Sequence, residues 1–455
     1  MIIISWRKKI GIVGLMLLLL LAACSAPSNY SDKGESAGEA GNQQQKKVVV
    51  AVQGENKFLE EAATAFEQQY TDIDIELQYY MAMPQVATGG GMTEAIAQAD
   101  VEKYIQTVTT QIMAGKGSDL IVMNQLPQQK LVEKKMLVNL YDKMEQDSDF
   151  QLDHFYKSVL TASQDGDGLY AIPFAMQLDM VQGRQDLLDK AKLQIDDASW
   201  TWEQFKEVAK QLKQTVGEDY YAFINVFPMH LLINYMEENL STLIDETGTA
   251  HFDSDHFREM MASIKSLYDE QVLQQQFSYD YDKALFSQTS LSSPEGALRT
   301  MSMANSVLFK SPTASGKGEG IPFRSELMMG MNSKSTVQEE AWLFLKFLLS
   351  DHMQQSLELS GIPINKVVAE QRIEEAATKL VNGEVEYADP VSAEVAEQQA
   401  VQLKELLTNV GDKLQLDHKV QSIAIEEFEM YMNNQKTAEE VSKLIQNRVS
   451  TYLNE

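Results

Sequence analysis

Hydrophobic and polar positions follow two alternating periods once the chain passes residue 46. Residues 48–52 form an unbroken apolar run, which predicts a strand covered on both faces. Apolar side chains then recur at every fourth position and predict an amphipathic helix: Phe58, Ala62, Phe66 and Tyr70. Over residues 73–79 they recur at every second position, which is the period of a strand. The pattern therefore begins with a strand, a helix and a second strand.

The same alternation continues further along the chain. After three glycines at 89–91, a helical pattern covers residues 101–112, and residues 119–123 contain another short apolar run. Strands that alternate with helices in this way form a mainly parallel sheet with helices on its faces. The sequence therefore predicts an α/β fold.

Polar residues follow two of the predicted strands at the point where each strand ends. Gln53 and Glu55 come after the first strand, and Asn124 comes after the third. Ligands of parallel sheets lie beyond the carboxyl ends of the strands. We therefore expect these three side chains to meet a small solute.

Two local signals predict a chain reversal and a helix start. Residues 165–168 (Asp-Gly-Asp-Gly) indicate a hairpin before the apolar segment 169–173. The same letters also open a calcium loop, but Met176 stands where such a loop needs a glutamate, so we prefer the hairpin. Thr201 and Gln204 form a predicted capping box at the start of a helix.

The N-terminus has the pattern of an export signal. A basic flank at residues 7–9 precedes a 14-residue apolar run at 10–23, which is short for a membrane-spanning helix and typical of a signal peptide. The run ends in Leu-Ala-Ala before Cys24, the single cysteine of the chain, and this resembles the lipobox of bacterial lipoproteins. The resemblance implies cleavage after residue 23 and acylation of Cys24. An ordinary secretory signal is the alternative.

Composition narrows the class of protein further. Residues 24–46 are rich in Ser, Gly, Asn, Gln and Lys and predict a flexible tether. The net charge of −28 argues against a nucleic-acid partner, because phosphate binding needs clustered Lys and Arg. A single cysteine excludes a disulfide framework and a cysteine-based zinc site.

Signals for catalysis or metal binding are weak. His251 and His256 bracket Asp253 and Asp255, a set that would suit a metal, but the letters around them indicate a strand end and a helix start. We therefore favour structural roles for these four residues. Neither a nucleophile elbow nor a triad containing histidine is visible in the sequence. We expect no enzyme activity, no metal and no cofactor.

Six motifs follow one another in a fixed order through the body of the chain. They are 115–121 (GKGSDLI), 168–173 (GLYAIP), 201–205 (TWEQF), 330–335 (GMNSKS), 340–348 (EAWLFLKFL) and 361–363 (GIP). The ordered set resembles the extracellular solute-binding proteins of ABC importers, the branch that includes maltose-binding protein. The resemblance implies a two-lobed α/β clamp of type II with a ligand cleft between its lobes. It also implies a hinge motion on binding and delivery of a sugar or oligosaccharide to a permease.

The resemblance further implies three hinge crossings, near residues 174–177, 323–330 and 361–366. The expected lobes are 47–174 plus 330–362 for the first, and 178–326 plus 366–455 for the second. Arg324 lies at the second crossing, where it would pair with a carboxylated ligand or with Glu326.

The sequence departs from the family at places that concern the cargo. Residues 181–186 (VQGRQD) replace a Tyr-Asn pair, and no tryptophan is an obvious platform for a sugar ring. Trp202 and Trp342 are expected in the core, whereas Trp200 could be exposed. Five other aromatic residues could replace the platform: Tyr79, Tyr80, Phe174, Tyr221 and Phe227.

The predicted function is that of a monomeric receptor, anchored to the outer face of the cytoplasmic membrane through Cys24, which passes a neutral carbohydrate to an ABC permease. The predicted solute contacts are Gln53, Glu55, Asn124, Phe174, Gln177, Asn225 and Arg324. A binding lipoprotein associated with a sensor, or a receptor for another solute, is the main alternative. A glycoside hydrolase is a third hypothesis.

Overall fold

The computed structural model describes residues 45–81, 98–245, 247–274, 276–314, 316 and 320–454. The predicted signal peptide, Cys24 and almost all of the predicted tether lie outside the described residues. Within the described ranges, no helix combines the length and the apolar character that a membrane crossing requires.

The described residues form eleven strands and seventeen α-helices. The strands are β1 (Lys46–Val52), β2 (Ile73–Tyr79), β3 (Leu120–Val122), β4 (Ile172–Pro173), β5 (Ala175–Arg184), β6 (Phe286–Leu291), β7 (Ser306–Lys310), β8 (Ile321–Arg324), β9 (Met328–Met331), β10 (Ile362–Pro363) and β11 (Val410–Lys413). The helices are α1 (Lys57–Gln69), α2 (Gln98–Met113), α3 (Gln128–Glu133), α4 (Leu140–Gln146), α5 (Lys157–Ala162), α6 (Gln185–Ala191), α7 (Trp202–Val216), α8 (Pro228–Glu238), α9 (Leu240–Leu243), α10 (Asp255–Asp269), α11 (Pro294–Ser302), α12 (Gln338–Leu348), α13 (Asp351–Gln354), α14 (Lys366–Asn382), α15 (Ala393–Thr408), α16 (His418–Met432) and α17 (Ala438–Asn454). Two 3₁₀ turns lie at Leu152–His154 and Tyr281–Lys283.

The first sheet has the strand order β2-β1-β3-β9-β4. β1 runs parallel to both β2 and β3, whereas β9 is antiparallel to β3 and to β4. The predicted α/β class is therefore confirmed, whereas the sheet is mixed rather than mainly parallel, because only β2, β1 and β3 run parallel. Both faces of β1 are covered, since Val50 packs into one hydrophobic cluster and Ala51 into another.

The second sheet is built around the long strand β5. Its order is β10-β5-β8-β11, and β6 and β7 also pair with β5. β6 lies along one edge of β5 and pairs with its residues 178–183. β7 and β8 lie along the other edge, where β7 pairs with residues 180–184 and β8 pairs with residues 177 and 178. β11 extends this sheet by pairing parallel with β8.

The chain passes between the two sheets at three places. β4 ends at Pro173 in the first sheet, and β5 begins at Ala175 in the second. β8 ends at Arg324 in the second sheet, and β9 resumes the first sheet at Met328. The third passage leads into β10, which pairs with the start of β5. The chain thus changes sheet at each predicted crossing, and the lobe boundaries drawn from these crossings stay predictions.

Three hydrophobic clusters form the interior. The largest includes Val48, Val50 and Val52 on one face of the first sheet and continues through the crossings to α14 and α15. A second cluster joins α7, α8, α10, α16 and α17 to the second sheet. A third cluster covers the other face of the first sheet and contains Tyr104 and Val108 of α2. α2 and α16 thus belong to separate cores.

Both local signals in the sequence are confirmed. The amide of Asp165 donates to the carbonyl of Gly168 at 2.9 Å, and the amide of Gly168 donates back at 3.3 Å, which closes the predicted hairpin turn. At the start of α7, the amide of Gln204 donates to Oγ1 of Thr201 at 3.2 Å. The amide of Thr201 donates to Oε1 of Gln204 at 2.7 Å and completes the capping box.

Candidate functional site

The three crossings bring the ends of several strands together at one place, which we call the junction (residues 53–55, 123–125, 174–177 and 324–328). β1 and β3 are parallel, so their carboxyl ends lie at the same edge of the first sheet. The start of β9 lies at this edge too, because Val122 pairs with Met329. The start of β5 and the end of β8 meet there from the second sheet, where Gln177 pairs with Arg324.

The backbone of Phe174 ties the crossings to one another. Its amide donates to the carbonyl of Leu327 in the second crossing at 3.1 Å, and its carbonyl accepts from the amide of Ile364 after the third crossing at 3.2 Å. Its side chain is fully buried, with its ring centroid 6.3 Å from that of Phe58. The predicted contact Phe174 therefore packs in the core beneath the junction.

Asn124 uses its side chain to hold the second crossing. Its Nδ2 donates to the carbonyl of Ser325 at 2.6 Å, and its Oδ1 accepts from the amide of Met328 at 2.9 Å. These bonds fix the path of the chain between β8 and β9. The carbonyl of Asn124 accepts from Nε2 of Gln415 at 3.5 Å.

Three other predicted contacts carry polar groups at the junction. Gln53 is half-buried, and its Nε2 lies 3.5 Å from Sδ of Met81. Glu55 is exposed. Gln177 is half-buried on the second sheet, and its Nε2 donates to Oγ of Ser360 at 3.4 Å. Amide and carboxylate groups in this position suit hydrogen bonding to a solute between the sheets.

Arg324 forms ion pairs with two carboxylates. Its Nη1 and Nη2 donate to the two carboxylate oxygens of Glu237 at 2.9 and 2.6 Å, and its Nε donates to Oδ2 of Asp179 at 2.6 Å. Burial disfavours the guanidinium charge, but the hydrogen bonds and charge of Glu237, followed by those of Asp179, raise the pKa of Arg324 above its ordinary value. The carboxylate partners of Arg324 are therefore these two residues rather than Glu326, which is exposed.

Asn225 lies before α8 with a positive φ of 61°. Its Nδ2 donates to the carbonyl of Ser278 at 2.9 Å and to the hydroxyl of Tyr281 at 3.2 Å, and its Oδ1 accepts from the amide of Ser278 at 2.9 Å. The side chain thus fixes a loop that exposes three aromatic rings. They are Phe277, Tyr279 and Tyr281, with exposed fractions of 56%, 85% and 61%.

The predicted contacts do not include this aromatic loop, although its letters (FSYDY, residues 277–281) place aromatic residues at every second position. The expected burial of Trp202 and Trp342 is confirmed. Trp200 is buried as well, and its Nε1 donates to the carbonyl of Lys310 at 2.9 Å.

A second feature is the set of contacts that α2 and the end of β3 make with the start of α16 and the segment before it. We call it the seam (Glu102, Asn124, Gln415, His418 and Lys419). Nζ of Lys419 at the start of α16 lies 2.9 Å from Oε1 of Glu102 on α2. The side-chain Nε2 of Gln415 donates to the carbonyl of Asn124. The seam therefore joins α2, which packs in the third cluster, to the start of α16, which packs in the second. No periodic signal in the sequence points to these residues.

A small cavity of about 80 Å³ lies near the ion pairs of Arg324 and is lined in part by Glu237, Glu238 and Lys310. Burial raises the pKa of Glu238 to about 8, against the hydrogen bond that its carboxylate accepts from the amide of Ala314 at 3.3 Å. A larger open groove of about 420 Å³ runs along the start of α7 and contains none of the predicted contacts.

The histidines and aspartates at 251–256 do not gather around a common point. Nε2 of His251 lies 2.9 Å from Oδ2 of Asp245, whereas Asp253 and Asp255 bind Arg258. Across the described residues, no group of three or more His, Cys, Asp or Glu side chains could hold a metal ion.

Comparisons with known proteins agree with this architecture. A family model described as "Bacterial extracellular solute-binding protein" matches residues 51–355. No curated protein sequence matches the chain. Among solved structures, a maltose-bound MalE3 from T. maritima is 18% identical with a TM-score of 0.55, over 89% of this chain and 99% of that chain.

Two further structures share the fold. An ABC substrate-binding protein from Listeria monocytogenes in complex with cycloalternan is 17% identical with a TM-score of 0.53, over 90% of this chain and 99% of that one. A putative oligosaccharide periplasmic-binding protein from Synechococcus sp. MITs9220 is 16% identical with a TM-score of 0.58, over the same two shares.

The structural similarity to these proteins shows a common two-lobed fold, and the match to the family model extends over more than half of the chain. Family and fold are those of binding proteins rather than enzymes. The resemblance seen in the sequence motifs is thereby confirmed. The protein belongs to the bacterial extracellular solute-binding proteins, which serve ABC transporters.

Proposed function

We propose that this protein is a lipid-anchored receptor that binds a neutral sugar or oligosaccharide outside the cell and delivers it to an ABC permease. The observation that carries the proposal is the junction, where strand ends of both sheets come together at the chain crossings and polar side chains follow strands of each sheet, in a member of this family. The bound ligands named for relatives of the same fold, maltose and cycloalternan, support a saccharide as cargo.

The seven predicted contacts take two kinds of role in this proposal. Gln53, Glu55 and Gln177 offer hydrogen-bonding groups directly to the solute. The remaining four, Asn124, Phe174, Asn225 and Arg324, hold the surrounding chain in place through the protein partners described above. Binding across the crossings favours the closed form of a two-lobed protein, and preferential docking of that form on the permease would link capture to transport.

A thermal-shift screen of the full chain in detergent tests the choice of cargo. The panel contains maltose, maltotriose, cycloalternan, ribitol, amino acids and short peptides. A ligand at about 100 times its Kd stabilises the folded state by about 2.7 kcal/mol, which is a clear shift in Tm. A saccharide or polyol that shifts Tm supports the proposal. Shifts from amino acids or peptides alone would contradict it.

Uptake distinguishes delivery from sensing. Cells that lack this protein should lose import of the radiolabelled saccharide found in the screen. Cells that keep import but lose the transcriptional response to the same saccharide would favour the alternative of a sensor-associated lipoprotein.

The anchor is tested at Cys24. A Cys24→Ser variant should leave the membrane fraction and partition into the aqueous phase of a detergent extraction, because acylation of this thiol is what would retain the protein. A variant that stays in the membrane fraction would argue against lipidation at this position.

A further inference from the structure

Three neighbouring aromatic rings are left uncovered on the loop that Asn225 holds. Phe277, Tyr279 and Tyr281 have exposed fractions of 56%, 85% and 61%. Soluble proteins seldom expose large apolar side chains as a group, and such groups mark sites of interaction. The loop therefore has the character of a docking surface.

Protein contacts hold this loop in one conformation. The Asn225 side chain binds both the amide and the carbonyl of Ser278, and its Nδ2 also donates to the hydroxyl of Tyr281. The rings of Phe277 and Tyr279 pack edge to face with their centroids 4.9 Å apart. A partner that binds here would therefore lose little free energy to ordering of the loop.

The loop lies near the end of the second sheet that is remote from the junction. The amide of Arg184, the last residue of β5, donates at 3.2 Å to the carbonyl of Leu285, a few residues after the loop. Gln177 of the junction is seven residues back along the same strand, which is a distance of about 23 Å. A partner on the loop would therefore bind outside the junction.

The charges around the rings favour a cationic partner. Asp280 and Asp282 alternate with the tyrosines and are exposed, and neither forms an ion pair within the part of the chain that the structure describes. The adjacent Lys283 pairs with Asp219 instead. A cation that approaches the rings therefore meets two carboxylates that no other side chain neutralises.

Two neighbouring aromatic rings already bind cations. Nζ of Lys283 lies 4.5 Å from the ring centroid of Tyr220, and Nζ of Lys213 lies 5.2 Å from that of Tyr221. Across the described residues, no lysine or arginine lies over the three loop rings. These rings thus keep their negative faces for a cation from outside the chain.

The geometry of the rings favours a flat cation. Because Phe277 and Tyr279 touch edge to face, they leave no cage between them for a compact quaternary ammonium group. The guanidinium of arginine is planar, stacks on the outer face of a ring and forms paired hydrogen bonds with a carboxylate. An arginine side chain therefore matches both the rings and the aspartates.

Lipid and saccharide partners match less well. Anionic lipid headgroups would be repelled by Asp280 and Asp282. A neutral saccharide stacks on aromatic rings, but it has no charge to complement the two carboxylates. A protein segment supplies arginine in a fixed position, and tyrosine and arginine are the residues that contribute most to binding in protein interfaces.

We propose that the loop at residues 277–281 is a docking surface for a segment of a partner protein that carries arginine side chains. The guanidinium groups stack on the exposed tyrosine rings and pair with Asp280 and Asp282. The docking surface is separate from the junction, so it adds a second interaction to the proposed receptor function.

The test uses isothermal titration of the full chain in detergent with two synthetic peptides. One consists of four Gly-Arg repeats, and the other has citrulline, an uncharged analogue of similar shape, in place of each arginine. Only the arginine peptide should bind. Tyr279→Ser should weaken its binding about two- to fivefold, and the double variant Asp280→Asn/Asp282→Asn should weaken it about fivefold.

Tyr387→Ser is the matched control. Tyr387 is 89% exposed on another loop and follows the exposed Glu386, so it offers a similar ring beside a carboxylate without the rest of the surface. This variant should bind the arginine peptide as tightly as the wild type. All of these substitutions change exposed side chains and should leave Tm unchanged.

Four results would overturn the docking surface. They are a wild-type protein that does not bind the arginine peptide, equal affinity for both peptides, equal affinity of the wild type and the loop variants for the arginine peptide, and a loss of maltotriose affinity in Tyr279→Ser. The third would mean that the acidic surface binds cations without preference, and the fourth would assign the rings to solute. The receptor function is tested separately by the saccharide screen and survives the first three results.

Discussion

Nζ of Lys419 lies 2.9 Å from Oε1 of Glu102, and this ion pair connects α16 to α2, two helices that pack into different hydrophobic cores. A pair within one core holds only that core together, whereas this pair holds α2 and α16 against each other. Its strength should therefore influence the balance between open and closed forms more than it influences the stability of either core.

Replacing Lys419 with Met should open the unliganded protein at low salt. Both side chains of the pair are about 40% exposed, so the pair is worth about 0–1 kcal/mol, which changes the closed-to-open ratio by at most about fivefold. Small-angle scattering at 20 mM salt should give a larger radius of gyration for the variant, and the difference should shrink at 500 mM salt.

Lys443→Met is the matched control for this substitution. Lys443 pairs with Glu439 inside α17, so its loss removes the same charge without touching the seam. Equal scattering of Lys419→Met and wild type at low salt would mean that the pair does not restrain closure.

Replacing Arg324 with Met should destabilise the folded protein by about 3–5 kcal/mol, because it leaves the charge of Glu237 buried and uncompensated. The Glu237 side chain is only 4% exposed, and it is bound by Arg324 through two parallel hydrogen bonds. Urea unfolding measures the loss. The double variant Arg324→Met/Glu237→Gln should recover most of it.

This pair of variants also tests the sequence-based assignment of Arg324 as a solute contact. If its main role is to bind solute, Arg324→Met would unfold at the same urea concentration as the wild type and lose affinity only. A large loss of stability that the double variant repairs would identify the residue as structural.

The partners of Arg324 illustrate what the sequence could not provide. The approach of Pro322-Phe323-Arg324 to a crossing was predicted from motif order, and the strands around it follow from their apolar periods. The carboxylate that binds Arg324 is 87 positions away on α8. No local pattern encodes a pair that forms only after two elements pack, so the sequence suggested a carboxylated ligand or the nearby Glu326 as the partner.

The partners of Asn225 and the contacts of the seam could not be predicted from the sequence for the same reason. Asn225 was predicted to meet solute, yet its amide is bound by the loop at 277–281, which becomes its neighbour only through the tertiary fold. Gln415 lies between β11 and α16, and His418 is the first residue of α16, where neither residue belongs to an apolar period. By contrast, β1, β2 and α1 were predictable because burial on a sheet or a helix face imposes a period on the residues themselves.

Stability should fall as pH rises from about 5 to 9, in part because of Glu238. Its pKa is raised from 4.5 to about 8 in the folded protein, so the folded state holds a proton that the unfolded state releases. The resulting stabilisation is fully present below pH 4.5 and is lost as pH rises through 8. A shift of this size corresponds to a few kcal/mol.

A Glu238→Gln variant imitates the protonated carboxyl and should remove this part of the slope. Urea midpoints of variant and wild type should agree best at the acidic end, separate steadily between about pH 5 and 8, and run parallel above pH 8, with the variant more stable. Glu439→Gln, at an exposed position of α17, should leave the slope unchanged. Parallel curves for Glu238→Gln and wild type would contradict the assignment.

Gly361, at the third crossing, should tolerate replacement by alanine poorly. Its φ is +112°, and an added Cβ would stand 2.8 Å from Cβ of Ala175 and 3.1 Å from the carbonyl oxygen of Met176, where β10 meets β5. The backbone conformation costs about 1–3 kcal/mol for a non-glycine residue. The close approach adds to that cost, because the two chain segments must separate.

Gly166 in the hairpin turn separates the two effects. Its φ of +58° also favours glycine, but an added Cβ would meet nothing within 4 Å. Gly166→Ala should therefore cost about 1–2 kcal/mol in urea unfolding, from the backbone alone. Gly361→Ala should cost distinctly more, and it should also weaken saccharide binding, since the hinge segments at Ala175 and β10 would be forced apart. Equal losses in the two variants would mean that close packing at the third crossing does not constrain the hinge.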